Sequence, residues 1–386
     1  MIYLLQYKRD ELERNIPDMK IIHCADVHLD SKLSANLGER SAKQRREEIL
    51  NTFLKMIDYA AEQEVSAILI AGDLFDTARV QAGVRNAVES AIRRHADIDF
   101  YLLQGNHKAS GFLDALEELP GNLKLFGPEW TQYCLNPRGR GNIVLTGAEL
   151  TAGRTETLIS SLVLDYENFN IVMLHGQQNN YTSKNRTEVI ALGELRNRGI
   201  DYLALGHVHE FHCEELDRRG RWCYSGCLEG RGFDECGEHG FVLLDIDEGN
   251  LQYTWQKIPF ASRTMQYLEV DVTGCATSSE MVDVVEDALA ETDFSPRDMV
   301  KVVLVGRVDV TAEKDTDFMC RKLEERFFFL KIYDETKFLV DYDRFLLDAS
   351  LKGEFVRQVK ASDMDEETKA TVIRYGLQAL AGEVIE

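Results

Sequence analysis

The sequence predicts an α/β fold built on a largely parallel sheet, followed by a small α+β unit of its own. Three observations carry that expectation. Short apolar runs alternate with helix-periodic segments through the first half of the chain, the rhythm of β-α-β units. Clusters of His, Asp and Asn come directly after those runs, where a parallel sheet presents the C-terminal ends of its strands. After Pro259 the alternation starts afresh.

The elements follow in order. "MKIIHCAD" is a short apolar strand ending in polar residues, and "SAKQRREEILNTFLKMIDYAAEQEV" has helical periodicity. "SAILIAGD" is a buried strand, residues 79–94 a helix and "IDFYLLQGNH" a third strand. From about residue 122 the strands come closer together, in "NIVLTGAEL", "NFNIVMLHG" and "DYLALGH". Residues 221–258 read as antiparallel β. Beyond Pro259, "RTMQYLEVDV", "MVKVVLVGRVDV" and "FFFLKIYDE" are strands, with helices over "SSEMVDVVEDALAE" and residues 314–327. The closing "DMDEETKATVIRYGLQALAGEVIE" is an amphipathic helix with a charged start and a stop at Gly382. Its apolar positions, among them Met364, Ala370, Ile373 and Leu377, suit packing at home or docking to a partner. Four segments result: 1–19, 20–260, 261–340 and 341–386.

Composition narrows the function. The 386 residues are 44% hydrophobic and 28% charged, as in globular proteins. No apolar run approaches the roughly 20 residues that span a bilayer. The first residues turn strongly charged after a short apolar start, unlike a signal peptide, so the expected location is the cytoplasm. A net charge of −22 argues against a basic protein that coats nucleic acid. It leaves nucleic acid open as a substrate, because metal ions can neutralise phosphate locally. Tight DNA affinity would then come from a partner. Cys213, Cys223, Cys227 and Cys236 lie fairly close together but lack C-x-x-C spacing, so free thiols are expected rather than a zinc site.

"LALGHVHEFH", residues 203–212, crowds three histidines behind an apolar run. Four further polar clusters occupy the same position after a strand. They are Asp26 with His28, Asp73, Asn106 with His107, and His175. Imidazole, carboxylate and amide oxygen together suit Mn²⁺, Fe or Zn²⁺ better than Ca²⁺. Asp26, His28, Asp73, Asn106, His175, His207 and His209 exceed the needs of one ion, but two ions sharing a carboxylate use them all. A lone histidine after a strand is usually a satisfied surface or core residue, and His95, His212 and His239 are assigned to that role. What separates the seven is their order, D-x-H, GD, GNH, HG and GHxH, each at a predicted strand end.

In that order the chain resembles the calcineurin-like metallophosphoesterase superfamily. Within it, "IIHCADVHLDSKL", "AGDLFD" and "YSGCLEGRGFDECGEHGFVLLDID" are similar to the SbcD-type DNA-repair exonucleases, in a bacterial YhaO-like branch. The resemblance covers residues 20 to about 260 strongly and the rest weakly. It implies a four-layer αββα sandwich over residues 20–260, a capping domain over 261–340 and a partner-binding segment over 341–386. Asp26, His28 and His209 would hold one ion, Asn106, His175 and His207 the other, and Asp73 would bridge. His107 would be the catalytic histidine, and His23, Asp76 and Lys108 neighbours rather than ligands. Two divalent ions are implied, Mn²⁺ foremost, with Fe, Zn²⁺ or Mg²⁺ as alternatives. The implied partners are DNA as substrate and an SMC-like coiled-coil ATPase, with a homodimer left open and no membrane.

There are two departures from the family pattern. The usual GNHD is "GNHK" here, so Lys108 removes a carboxylate and adds positive charge beside His107. Such a charge favours neutral imidazole and works against an acid role. Asp76 is a candidate to replace the lost carboxylate. The family also begins near "MKIIH", which makes Met19 a candidate start and residues 1–18 an upstream leader. Three readings stay open: a DNA phosphodiesterase, a phosphatase or cyclic-nucleotide phosphodiesterase, and a weakly active regulatory subunit of an ATPase.

Overall fold

The computed structural model describes residues 18–33, 37–77, 79–106, 110–137, 142–178 and 188–381. His107, Lys108, the helix stop at Gly382 and nearly all of the leader lie outside the described residues. The chain divides between Ser262 and Arg263 into two compact units.

The first unit opens with β1 (Met19–Cys24), α1 (Glu39–Glu62), β2 (Ala67–Ala71), α2 (Ala82–Arg94) and β3 (Asp99–Leu103). It continues through α3 (Ser110–Leu113), β4 (Leu123–Leu125), β5 (Thr131–Cys134), β6 (Ile143–Gly147), α4 (Thr155–Ser160) and β7 (Phe169–His175). Then come β8 (Gln177–Gln178), β9 (Val189–Ile190), α5 (Leu192–Leu195), β10 (Tyr202–Gly206), β11 (His212–Glu215) and β12 (Arg221–Tyr224). A long hairpin of β13 (Gly240–Ile246) and β14 (Tyr253–Pro259) closes it.

These strands form two six-stranded sheets, in the orders β14-β13-β1-β2-β3-β4 and β11-β12-β10-β7-β6-β5. The inner strands of both are parallel, and antiparallel pairing occurs towards the edges. Ile21, Leu69, Tyr101 and Leu103 of the first sheet pack against Leu145, Ile171, Met173 and Ala204 of the second. On the outer face of the first sheet, Ile22, Ile68, Ile70 and Phe100 meet Phe53, Met56 and Ile57 of α1 and Ile92 of α2. The second sheet covers its outer face likewise, with Val172, Leu174 and Leu203 against Ile159 and Leu195. The result is the four-layer αββα sandwich. Because β2 is covered on both faces, it is a continuous apolar run rather than an alternating one.

Helix α1 shows how the sequence sets one layer. Ala42, Arg45, Ile49, Phe53, Met56, Ile57 and Ala60 recur at three- and four-residue steps and are buried. The helix ends where Glu64 turns left-handed (φ 57°) and the amides of Glu64 and Val65 bond back to the carbonyls of Ala61 and Ala60. That is a Schellman stop. Phe53 is fully buried, and truncating it to Ala would cost about 3–5 kcal/mol. Arg45, also buried, is satisfied by Glu229 at 2.9 Å and Glu48 at 2.8 Å. One expectation needs refinement. Residues 221–258 are not uniformly antiparallel, since β12 pairs in parallel with β10 while the β13–β14 hairpin joins the other sheet.

The second unit, residues 263–386, holds a parallel sheet of β15 (Met265–Asp271), β16 (Met299–Val305) and β18 (Phe329–Asp334). A two-stranded parallel pair, β17 (Arg307–Asp309) and β19 (Lys337–Leu339), lies in the same unit. Helices α6 (Ser278–Ala290) and α7 (Thr316–Leu323) cover the sheet with Met281, Val285, Met319 and Leu323. Thr277 and Glu280 cap α6 reciprocally. Three more helices follow: α8 (Tyr342–Leu346), α9 (Leu351–Lys360) and α10 (Glu366–Ala381). The closing helix turns its apolar face inward, with Ile373 and Leu377 against Val310, Phe345, Val356 and Val359. Arg374 Nη1 fastens it by donating to the carbonyls of Val310 and Ala312, at 2.6 and 3.2 Å. No helix among the described residues is long and apolar enough to cross a membrane.

Candidate metal centre

Each polar cluster leaves the sheets where a strand stops pairing and bends. The loop after β1 bonds to the loop after β2 through Asp26 N–Gly72 O, His28 N–Asp73 O and Leu29 N–Leu74 O, at 3.1, 2.9 and 2.9 Å. The loop after β2 bonds in turn to the end of β3, through Asp73 N–Gln104 O at 3.2 Å. Within these loops Asp26, His28 and Asp73 have left-handed backbones (φ 50°, 48° and 50°), and His207 after β10 has φ 99°. Non-glycine residues seldom adopt that region, and they concentrate at functional sites when they do. Here the bend carries each side chain out of the pleat toward one place. Gly72 (φ 97°) is required for a second reason: a Cβ there would overlap the His175 imidazole.

Two groups of donors result. In the first, His28 Nε2 and His209 Nε2 are 3.2 Å apart, and Asp26 Oδ1 lies 3.9 and 3.8 Å from them. In the second, Asn106 Oδ1 is 2.8 Å from His175 Nε2 and 3.4 Å from His207 Nδ1. Asp73 Oδ2 stands between the groups, 3.9 Å from His28 Nε2 and 3.4 Å from His175 Nε2. All seven residues singled out in the sequence as metal ligands therefore converge.

The outer nitrogens of three of these imidazoles are held from behind. His28 Nδ1 lies 3.2 Å from Asp76 Oδ1, His209 Nδ1 is 2.6 Å from Glu235 Oε1, and His175 Nδ1 donates to Ala71 O at 2.9 Å. Such outer partners fix the tautomer and aim the other nitrogen, the usual arrangement behind metal-bound histidine. Arg231 links two of the supports, bonding Asp76 at 3.2 Å and Glu235 at 3.0 Å. Asp26 Oδ2 accepts from His207 N at 2.8 Å, while its Oδ1 is buried with no hydrogen-bond partner. A buried carboxylate oxygen without a partner among the described residues, facing two imidazole nitrogens, is what a cation would satisfy. The nitrogen and oxygen donor set fits a divalent transition metal.

The electrostatics agree with a site built for positive charge. Burial works to lower the pKa of His175, but the Asp73 bond and the charges of Asp26 and Asp73 outweigh it and raise the pKa to about 9. Burial also works against the charged form of His209, yet the Glu235 bond holds its pKa above the ordinary value. Glu235 itself sits well below the carboxylate range. Burial would raise it, but bonds from His209 and the charge of Arg231 prevail. His28 and His207 are lowered, chiefly by burial.

The neighbours named from sequence divide. Asp76 is committed to His28 and Arg231. His23 lies apart from the cluster and is fully buried, its Nδ1 2.9 Å from the Tyr202 hydroxyl, with burial lowering its pKa to about 3. His107 and Lys108 lie outside the described residues. His95 pairs with Asp58, His212 stacks on Trp222, and His239 contacts Cys227 and the Glu235 carbonyl. Those three take the roles expected of them, and no candidate metal group among the described residues includes a cysteine. Sequence reasoning missed Glu149, Glu188, Arg231 and Glu235. Glu149 accepts from the backbone amides of Gln104 and Gly105, bracing the turn before Asn106. Its signal was present, because "LTGAE" repeats the pattern of apolar run, glycine and polar residue.

The chain has recognisable relatives among known proteins. The family model for the Calcineurin-like phosphoesterase domain matches residues 19–211. The chain is 28% identical over 290 residues to the uncharacterized metallophosphoesterase YhaO of Bacillus subtilis, covering 72% of this chain and 69% of that protein. It is 26% identical over 323 residues to the DNA double-strand break repair protein Mre11 of Methanopyrus kandleri, covering 75% and 69%. A second Mre11, from Haloferax volcanii, is 23% identical and covers 95% of this chain and 76% of its own length. Among solved structures, TT1561 of Thermus thermophilus aligns with a TM-score of 0.40 at 11% identity, over 62% of this chain and 99% of that one. The match over residues 19–211 takes in the strand ends from Asp26 to His209, and the chain belongs to the calcineurin-like phosphoesterase family of hydrolytic metalloenzymes.

Proposed function

We propose that this protein is a two-metal phosphodiesterase that cuts DNA in double-strand break repair. One observation carries the two-metal reading: two donor groups share a boundary at Asp73 Oδ2, which faces an imidazole of each. Asp26, His28 and His209 would hold one ion, Asn106, His175 and His207 the other, and Asp73 both. Divalent cations in such a site supply Lewis-acid polarisation of a phosphoryl group and a stronger nucleophile from water at neutral pH. Mn²⁺ is the ion we expect.

The chain's own groups do the rest. Asp76, Glu235 and the Ala71 carbonyl hold the imidazoles in register, so the donors are aimed before substrate arrives. Glu149 braces the turn that presents Asn106. His107, next in the chain to Asn106, is the proposed donor of a proton to the leaving alkoxide. The choice of DNA as substrate draws on the alignment with the archaeal Mre11 proteins. We further propose action in the cytoplasm with an SMC-like coiled-coil ATPase.

The test is a nuclease assay of the full chain on DNA of defined ends, with Mn²⁺, Mg²⁺ and Zn²⁺ in turn. Mn²⁺-dependent cleavage is expected. The variant His107→Ala should retain its metals and lose about 10²–10⁴-fold in turnover. Hydrolysis of small chromogenic esters without cleavage of DNA would replace the reading with a phosphatase or a small-molecule phosphodiesterase. Absence of any turnover would leave a regulatory subunit.

A further inference from the structure

We propose that Glu188 is a third carboxylate of the metal centre, completing the second ligand group beside Asn106, His175 and His207. The inference rests on the two-metal reading above. A carboxylate oxygen of Glu188 and one nitrogen each of His175 and His207 all lie within 4.8 Å of one another.

The backbone places Glu188 there. Strands β8 and β9 pair in parallel, with Gln177 opposite Val189, and Gln177 N donates to Glu188 O at 3.0 Å. Gly176, directly after His175, permits this approach, because a Cβ at that position would overlap the Glu188 carbonyl. Glu188 is therefore anchored just beyond the end of the strand that carries His175, by one hydrogen bond to a residue two positions from that proposed ligand.

Charge supplies the reason for a further carboxylate. The first group has Asp26 for itself and a share of Asp73. The second, as read from sequence, has an amide and two imidazoles for itself, all neutral as ligands, and the same share of Asp73. Affinity for a divalent cation rises with the charge of its ligands. A carboxylate from Glu188 gives the second group the anion it lacks and brings the two groups to the same formal charge.

The test is calorimetric titration of the metal-free full chain with Mn²⁺ alone, comparing wild type with Glu188→Gln. The substitution keeps the size of the side chain and leaves the Glu188 carbonyl and its bond to Gln177 in place. The expected result is two ions per wild-type chain, a first-ion affinity unchanged in the variant, and a second-ion Kd raised about 10–100-fold. The melting temperature of the metal-free variant should equal that of wild type. A second-ion Kd within about twofold of wild type overturns the inference. So does a variant that loses both ions together or melts lower without metal, since Glu188 would then be a structural residue. A wild-type chain that binds fewer than two ions overturns the two-metal reading itself. A wild type that binds two ions beside an unaffected variant overturns only the role of Glu188.

Discussion

Asp73 Oδ2 stands 3.9 Å from an imidazole nitrogen of one donor group and 3.4 Å from one of the other. Removing its charge should therefore cost more metal than removing any ligand that serves one ion. Elemental analysis of Asp73→Asn beside His209→Ala checks this, and a variant at position 73 that keeps two ions per chain refutes the shared role. His175 adds a dependence on pH. Its pKa of about 9 means that the metal-free chain carries a proton there at neutral pH. A ligand must be neutral, so each ion bound at His175 displaces that proton. Below about 9 protons compete with metal, and above it they do not. Apparent Mn²⁺ affinity should rise with pH, by up to about tenfold per unit from one proton, and level off near that value. A flat profile from neutral pH upward would contradict it. The residues that converge here were legible in the sequence because each follows an apolar run within one or a few residues. Their supports were not. His209 meets Glu235 across 26 positions, and nothing local in "RGFDECGEHG" announces that contact.

At the scale of elements, the closing helix was legible as helix and ambiguous as to partner. The structure buries Ile373 fully and Leu377 almost so, within their own unit. Ile373→Ala should then destabilise the unit by about 2–5 kcal/mol, read as a shift in chemical denaturation of the full chain. A loss below about 1 kcal/mol would mean that the helix does not depend on that packing. Helices α8 and α9 escaped the sequence reading because they are short and their apolar positions are few. What starts them is capping: Asp341 accepts from the amides of Asp343 and Arg344, and Ser350 from Gly353. The presence of two sheets was hidden for another reason. Periodicity tells that β7 and β10 are buried strands, but not that they pair with each other rather than with β2. Only the family resemblance carried the sandwich.

At the scale of the whole molecule, a chain of net charge −22 would need help to meet the polyanion proposed as its substrate. Among the described residues, one group of exposed apolar side chains lies close together in the chain. Leu346, Leu347 and Leu351, around the turn between α8 and α9, are 51%, 97% and 69% exposed. Deleting residues 341–386 would uncover Val310, so a point substitution is the cleaner probe of the proposed ATPase contact. Leu347→Asp should leave stability and the hydrolysis of a small phosphodiester unchanged and abolish co-purification with the ATPase. Undiminished co-purification would move the contact elsewhere.

The hydrogen bonds that join the loop after β1 to the loop after β2, and that loop to the end of β3, bear on how metal comes and goes. These turns continue the ladder of the sheet beyond its last strand pair. They cannot open one at a time, because each borrows its neighbour's carbonyls. An ion held, as proposed, by Asp26, His28 and Asp73 would thus not be released by a flap swinging aside. It would leave by stepwise loss of individual bonds. Exchange with free metal should be a first-order process set by ligand strength, and an emptied centre is ready to refill without any folding step.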